Sequence, residues 1–186
     1  FRPDPEIFGE KACFDLDLIR ERLEAKSYLH KGLRVIFHDE EGGTKQEFSH
    51  QGGIADYLTK LVAERNKAAL CPAVYLEKQA DPNGTRFEVA FLWTESEGET
   101  LKSFVNGIPT PSGGSHENGL KAGIVKGVRN YIDTHDLLPK GLSLSAEDIR
   151  EGLLAILSCY VREPQFQGQT KERLNNPEIT GELDGA

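Results

Sequence analysis

The sequence is poor in sulfur and in long apolar segments. Among its 186 residues there is no methionine, one tryptophan and three cysteines, which are Cys13, Cys71 and Cys159. Because the cysteines are odd in number, widely spaced and never arranged as Cys-x-x-Cys, they disfavour a disulfide framework and a zinc site and suit a reducing cytoplasm. No apolar run approaches the roughly 18 residues of a membrane span, so we predict a soluble protein without a membrane partner.

Positive charge is also in short supply. The 22 Lys and Arg residues are outnumbered by 30 Asp and Glu, which gives a formal net charge of −8. This balance excludes a generally basic nucleic-acid coat, so any contact with DNA must come from a local cluster. The opening letters FRPDPEIFGE contain neither an initiator methionine nor the apolar core of a signal peptide. We therefore interpret the sequence as an internal segment of a longer protein.

The common signatures of nucleotide-binding and hydrolytic sites are missing. The sequence has no Gly-x-x-x-x-Gly-Lys-Ser/Thr loop, no Rossmann fingerprint and no His-Glu-x-x-His pair. Ser115 and His116 are neighbours, but adjacent side chains at a helix start point in different directions, which argues against a nucleophile and its base. We interpret Ser115 as a helix N-cap, and we expect no metal ligands and no nucleotide site that works unaided.

Hydrophobic periodicity and turn residues predict groups of helices and strands. Helices are predicted over residues 14–29, 54–65 and 115–135, and a short one begins at a capping box of Ser145 and Asp148. Strands are predicted over residues 33–38, 46–50, 73–78, 87–94 and 100–105, the last three as an antiparallel meander that contains the turn Asp81-Pro82-Asn83-Gly84. The apolar run 153–161 fits a buried strand and a helix equally.

This order of elements predicts an α+β fold with helices on one face of a mixed sheet. The length suits one domain, which we place over residues 1–174. Residues 175–186 are polar, acidic and contain glycine, so we predict a tail or linker there.

The segment 163–174 carries candidate phosphate-binding side chains. It follows an apolar element, contains Gly168 as a flexible point, and delivers Gln169 and Lys171 close to a predicted helix start. A lysine ammonium on a long stem is a common partner of a terminal phosphate, and a carboxamide with free backbone N–H groups completes such a cradle. A solvated surface lysine is the other interpretation of the same residues.

The long predicted helix carries a second candidate site. Lys121, Lys126 and Arg129 fall on an arc beside the apolar face of the helix. A basic stripe of this kind can meet DNA phosphates. An ordinary solvated helix face is the alternative, and Glu117 and Asp133 on the same helix weaken the positive field.

Several segments, taken together and in order, resemble one protein family. They are YLHKGLRVIFHDE, FSHQGGIADYL, FEVAFLWT, SFVNGIPTPSGGSHENGLKAG, LSAEDIREGL and PQFQGQTKERLNNPE. In this order they closely resemble the transducer domain of the B subunits of bacterial type II DNA topoisomerases, which are DNA gyrase and topoisomerase IV. The resemblance runs from the opening FRPDPEIF to about Glu178. One departure is Ser115, where the family usually has threonine.

The resemblance implies a fold and a function. The implied fold is similar to ribosomal protein S-five domain 2, with a mixed four-stranded sheet, helices on one face and a left-handed βαβ crossover. The implied function is that of a fragment of an ATP-dependent isomerase, which couples ATP binding and hydrolysis in an adjacent GHKL ATPase domain to DNA gate closure and strand passage. The isolated fragment is then inactive, and ATP with Mg²⁺ is held outside it. The implied partners are DNA, the topoisomerase A subunit and a second B subunit.

The resemblance also assigns roles to residues. Gln169, Thr170 and Lys171 match a Gln-Thr-Lys loop whose glutamine and lysine reach the γ-phosphate of ATP in the neighbouring domain. Lys171 is then the catalytic cation, and Gln169 distinguishes ATP from ADP. Lys121, Lys126 and Arg129 are implied DNA contacts. A stand-alone nucleic-acid or protein binding module of the same fold, and the transducer of another GHKL ATPase, are the alternatives.

Overall fold

Two compact units make up the part of the protein that the structure describes. The computed structural model describes residues 3–9, 12–79 and 85–186, and the predicted turn Asp81-Pro82-Asn83-Gly84 lies outside them. The first unit is Phe1–Gly53 and the second is Ile54–Ala186. The sequence predicts a single domain over residues 1–174, so the division after Gly53 differs from that expectation.

The first unit combines helices with a β-hairpin. Its elements are α1 (Pro5–Phe8), α2 (Leu16–Leu29), β1 (Arg34–Asp39) and β2 (Thr44–Ser49). The carboxylate of Asp15 accepts hydrogen bonds from the N–H groups of Asp17 and Leu18, which explains why α2 begins there. β1 and β2 pair antiparallel. The helix and both strands that the sequence predicts here are confirmed.

The second unit contains a mixed sheet, helices and a small hairpin. Its helices are α3 (Ile54–Arg65), α4 (Ser115–Thr134), α5 (Ala146–Arg150) and α6 (Pro177–Asp184). Its strands are β3 (Val74–Lys78), β4 (Arg86–Trp93), β5 (Thr100–Val105), β6 (Ile108–Pro109), β7 (Leu153–Tyr160), β8 (Phe166–Gln167) and β9 (Arg173–Leu174). The predicted capping box of Ser145 and Asp148 is confirmed at the start of α5. None of the helices in the described part of the chain is both long enough and apolar enough to cross a membrane.

The strand order of the sheet differs from the predicted meander. Within the described residues the sheet has five strands in the order β3-β4-β7-β5-β6, where the resemblance implies four. β4 pairs antiparallel with β3 and β7, whereas β5 runs parallel to β7. The reason lies in β7, which is buried on both faces along Leu153–Cys159 and therefore inserts between β4 and β5 as a central strand.

Helices cover both faces of this sheet, so the expectation of helices on one face is wrong. α4 and α6 pack on the face that carries Phe87, Val89 and Leu157. α3 packs on the opposite face, where the ring of Tyr57 lies 6.4 Å from the ring of Phe104. β7 presents apolar side chains to both faces of the sheet, so each face must be shielded from water by packed helices.

Residues 175–186 form structure in place of the predicted tail or linker. Most of the segment is α6, whose Ile179 and Leu183 are buried in the core. The backbone of α6 lies so close to α4 that a Cβ on Gly119 would be 2.6 Å from the carbonyl oxygen of Thr180. Although this segment is polar in composition, α6 has a short apolar face, and it packs against α4 at Gly119.

Candidate functional site

The Gln-Thr-Lys segment lies at the end of a small β-hairpin formed by β8 and β9, which pair antiparallel. Residues 168–171 form what we call the hairpin tip. Gly168 and Lys171 both have a left-handed backbone, with φ angles of 80° and 59°. The N–H of Lys171 donates a hydrogen bond to the carbonyl oxygen of Gly168 at 3.4 Å. A positive φ is uncommon for a residue with a side chain, and such positions cluster at functional sites.

The side chains of the hairpin tip are available to a ligand. Gln169, Thr170 and Lys171 are all exposed. Within the described residues, none of these three side chains has a hydrogen-bond or ion-pair partner. An ammonium, a hydroxyl and a carboxamide presented in this way can bind anionic oxygens such as those of a phosphate. The structure thus brings the three predicted residues together on one exposed loop.

The hairpin is attached to a second loop next to it. Residues 110–114 and 173–176 form what we call the hairpin base. The N–H of Ser112 donates to the carbonyl oxygen of Glu172, and the N–H of Leu174 donates to the carbonyl oxygen of Gly113, each at 3.0 Å. The guanidinium of Arg173 donates to the carbonyl oxygen of Ser112, also at 3.0 Å. Because Leu174 is buried in the core, these contacts fix the hairpin to the loop that precedes α4.

Gly114 allows the two halves of the hairpin base to meet. Its φ angle of 136° favours glycine, and a Cβ there would lie 2.2 Å from the carbonyl oxygen of Leu174. Gly114 is also the N-cap of α4, and within the described residues the Oγ of Ser115 has no hydrogen-bond partner. The predicted cap at Ser115 is therefore wrong. The N-cap is Gly114, where the close approach of the Leu174 backbone leaves no room for a side chain.

Asn176 fastens the other end of the hairpin base and was missed by sequence reasoning. Its Oδ1 accepts a hydrogen bond from the N–H of Gln165 at 2.7 Å. Its Nδ2 donates to the carbonyl oxygen of Glu163 at 3.2 Å and to Oε1 of Glu178 at 2.7 Å. The signal that could have found it is the Asn-Pro pair, since asparagine is favoured just before a helix that begins with proline.

A buried polar cluster adjoins the hairpin base. Thr110 Oγ1 lies 2.6 Å from Ser103 Oγ and 2.9 Å from His116 Nε2, and Ser103 Oγ donates to Glu117 Oε1 at 2.6 Å. His116 has no exposed surface, and burial lowers its pKa to about 4, so the imidazole is neutral at pH 7. In the sequence His116 stands out only as the neighbour of Ser115, and no motif marks Ser103 or Thr110.

The three predicted DNA contacts on α4 each have a partner within the protein. Lys121 pairs with Glu99 at 2.7 Å, Lys126 pairs with Asp184 at 3.4 Å, and Arg129 donates to the carbonyl oxygen of Leu144 at 3.2 Å. Their partners belong to different parts of the unit, so the three residues do not form one free basic stripe. Contact between these residues and DNA stays a prediction.

Known proteins are similar to this chain in sequence. A family model described as DNA gyrase B matches residues 53–185, nearly the whole of the second unit. The chain is 39% identical over 185 residues to the B subunit of DNA gyrase from Thermotoga maritima, covering 96% of the chain and 29% of that protein. It is 37% identical over 189 residues to the B subunit of DNA topoisomerase 4 from Pseudomonas aeruginosa, covering 100% of the chain and 29% of that protein. The chain therefore spans less than a third of the length of these relatives.

A solved structure corrects the predicted fold class. The 43K ATPase domain of Thermus thermophilus gyrase B, in complex with an aminocoumarin, matches 98% of this chain and 49% of its own, with a TM-score of 0.81 and 31% identity. The fold is thus that of about half of a gyrase B ATPase domain, with five strands in its main sheet among the described residues. The expected fold, similar to ribosomal protein S-five domain 2 with four strands, helices on one face and a left-handed βαβ crossover, is wrong.

Proposed function

We propose a function from the premise that this chain belongs to the DNA gyrase B family, which its match over residues 53–185 shows. We propose that the chain is part of the ATPase region of a type II DNA topoisomerase B subunit, an ATP-dependent isomerase. In that subunit the hairpin tip contacts the γ-phosphate of ATP, which another part of the subunit holds. The contact couples ATP binding and hydrolysis to DNA gate closure and strand passage, which is the role of a transducer.

The exposed ammonium of Lys171 carries this proposal. Within the described residues it has no partner, although the hairpin that presents it is fixed at its base. A cation without an internal partner loses no protein contact when it meets a ligand, and a phosphate oxygen offers it a charge-assisted hydrogen bond. The carboxamide of Gln169, also without a partner there, adds a second donor two residues away.

Lys171 and Gln169 have different tasks in this proposal. Negative charge on the transferred group must be stabilised during phosphoryl transfer, and a positioned cation does so most effectively. Lys171 supplies that cation. Gln169 donates an amide N–H to an oxygen that ATP has and ADP lacks, and Thr170 adds a hydroxyl donor between them.

Magnesium accompanies ATP in phosphoryl transfer, where it neutralises charge on the phosphates. Within the described residues, no three His, Cys, Asp or Glu side chains are grouped as a metal site requires. We propose that Mg²⁺ is held together with the nucleotide in another part of the subunit, since one or two carboxylates, waters and the phosphates themselves are its usual ligands.

The hairpin base gives the contact a route to the rest of the chain. Leu174 is hydrogen-bonded to Gly113, and α4 begins directly after Gly114, so a displacement of the hairpin acts on the start of α4. We extend the proposal to DNA contacts by Lys121, Lys126 and Arg129, which lie along this helix. These side chains exchange their internal partners for DNA phosphates when α4 moves.

The proposed assembly has further members. They are DNA, a topoisomerase A subunit and a second B subunit, which together form a gate that opens and closes around DNA. We place this assembly in the cytoplasm, a reducing compartment that suits the free thiols of Cys13, Cys71 and Cys159.

The test replaces Lys171 with alanine in the full-length B subunit. We expect kcat for ATP hydrolysis to fall by about 10³-fold, as when other cations that stabilise a transferring phosphoryl group are lost. Lys140→Ala is the matched control, because Lys140 is also an exposed lysine in a loop, and we expect it to leave kcat unchanged. Neither substitution should move the urea midpoint of unfolding. Unchanged turnover in Lys171→Ala would refute the proposal.

A further inference from the structure

We infer that Thr110, Ser103 and His116 are positioning residues for Lys171. Their hydrogen bonds fix the loop of residues 110–114, and through this loop they hold the hairpin tip in the orientation from which Lys171 reaches a phosphate. This role rests on the proposed function and extends it to side chains that do not touch the nucleotide. We call the series His116, Thr110, Ser103 and Glu117 the hydroxyl chain.

The hydroxyl chain donates in one direction. The carboxylate of Glu117 can only accept, so the hydroxyl of Ser103 points to it across 2.6 Å. Because that hydroxyl has only one hydrogen, Ser103 Oγ must accept from the hydroxyl of Thr110 at 2.6 Å, and Thr110 Oγ1 must then accept from His116 at 2.9 Å, which requires the Nε2–H tautomer. In this series the hydroxyls of Ser103 and Thr110 each donate once and accept once, so both are held by two partners.

Thr110 connects the hydroxyl chain to the backbone of the hairpin base. Its N–H donates to the carbonyl oxygen of Ser103 at 2.9 Å, and its own carbonyl oxygen accepts from the N–H of Gly113 at 2.8 Å. The carbonyl oxygen of Gly113 in turn accepts from the N–H of Leu174 at 3.0 Å. A continuous series of hydrogen bonds therefore leads from the buried cluster to β9, three residues after Lys171.

The burial of these residues separates positioning from direct contact. His116 has no exposed surface and Thr110 is 1% exposed, so neither side chain can reach a nucleotide held outside the unit. Their influence on hydrolysis must pass through the hairpin. A displacement of about 1 Å in a catalytic group costs up to roughly 10²-fold in rate, so a loosened hairpin base is enough to impair Lys171.

The first test removes the central hydroxyl with Thr110→Val in the full-length B subunit. We expect kcat for ATP hydrolysis to fall by about 10-fold or more, while KM for ATP changes less than about two-fold, since other residues bind the nucleotide. Thr110→Ser keeps the hydroxyl and should retain kcat. The matched control is Thr94→Val: Thr94 is 2% exposed and donates to the carbonyl oxygen of Gly152 at 3.1 Å, far along the chain from the hairpin. Its loss should leave kcat unchanged.

The second test asks whether Thr110 acts through Lys171. In a Lys171→Ala background, Thr110→Val should lower kcat no further, because the group that Thr110 positions is already gone. A purely structural role would lower kcat equally in both backgrounds. A further loss of about 10-fold in the double variant would therefore overturn the positioning role.

The outcomes also separate this role from the proposed function. If Lys171→Ala lowers kcat and Thr110→Val does not, the positioning role fails and the proposed function stands. If Lys171→Ala leaves kcat unchanged, both fail. Should Thr110→Val not fold, Ser103→Ala interrupts the same series with the loss of one oxygen, and the same results decide.

Discussion

The hairpin tip and the hairpin base are adjacent in the chain and opposite in character. At the tip, Lys171 and Gln169 are exposed and have no partners within the described residues. At the base, Leu174 and Asn176 are buried, and backbone groups meet so closely that Gly114 has no room for a Cβ. One region presents chemical groups and the other holds them in place.

The contrast shows how reactivity and rigidity are divided in this protein. Because the side chain of Lys171 has no partner within the described residues, it adds little to the stability of the fold. The position of Lys171 is fixed by the hairpin base. Burial and hydrogen bonds there offset the conformational entropy lost on ordering, so this cost is met before any ligand binds. Substitutions in the base should therefore change stability, and substitutions at the tip should change only chemistry.

The largest effect is expected from Gly114→Ala, which places a Cβ 2.2 Å from the carbonyl oxygen of Leu174. We expect the free energy of unfolding to fall by more than about 4 kcal/mol, because the two halves of the base must separate. Gly141→Ala is the control: its φ is 86° and no atom of the described residues lies within 4 Å of the added Cβ, so only backbone strain of about 1–2 kcal/mol applies. Urea unfolding measures both, and equal losses would contradict the close approach.

Acid should lower the free energy of unfolding through His116, which packs beside the hairpin base. Burial lowers its pKa from 6.5 to about 4, so between these values the unfolded chain binds a proton that the folded chain does not. The stability present above pH 6.5 is therefore lost as the pH falls towards 4, by roughly 3 kcal/mol at 1.36 kcal/mol per pH unit. His116→Gln cannot titrate there, and its unfolding free energy should fall less between pH 7 and pH 4. Parallel curves for the two proteins would rule out a buried neutral imidazole.

A smaller effect is expected from Asn176→Ala. Its amide is the hydrogen-bond partner of the N–H of Gln165 and the carbonyl oxygen of Glu163. Loss of these bonds should cost about 2 kcal/mol of unfolding free energy. The adjacent Asn175 is exposed, and Asn175→Ala should change stability by less than about 0.5 kcal/mol. Thermal unfolding of the two variants side by side measures the difference, and a similar shift in both would remove the role given to Asn176.

The local elements of the fold were predictable because they are encoded by neighbouring residues. The helix Ile54–Arg65 begins and ends where its apolar spacing indicates, and Ser145 with Asp148 caps α5 as expected. The strand order was not predictable, because the insertion of β7 between β4 and β5 depends on residues more than 50 positions apart. The helix of residues 177–184 escaped notice because its two buried side chains, Ile179 and Leu183, stand among polar ones.

The candidate site divides in the same way. Lys171 and Gln169 are candidate phosphate-binding residues on sequence grounds, with their roles implied by the resemblance to a known family, and that assignment stays a prediction. Ser103, Thr110 and Asn176 were missed, since each is an ordinary polar residue whose importance arises from partners that folding brings to it. Sequence patterns reveal groups that act alone on a ligand more readily than groups that act together within the protein.

The most direct measurement is a crystal structure of the full-length B subunit with a non-hydrolysable ATP analogue. We expect Nζ of Lys171 to lie about 2.7–2.9 Å from an oxygen of the γ-phosphate, the distance of a charge-assisted hydrogen bond. We also expect the hydrogen bond between Leu174 and Gly113 to persist in that complex. A γ-phosphate bound in full while the Lys171 ammonium points into solvent would contradict the proposed function.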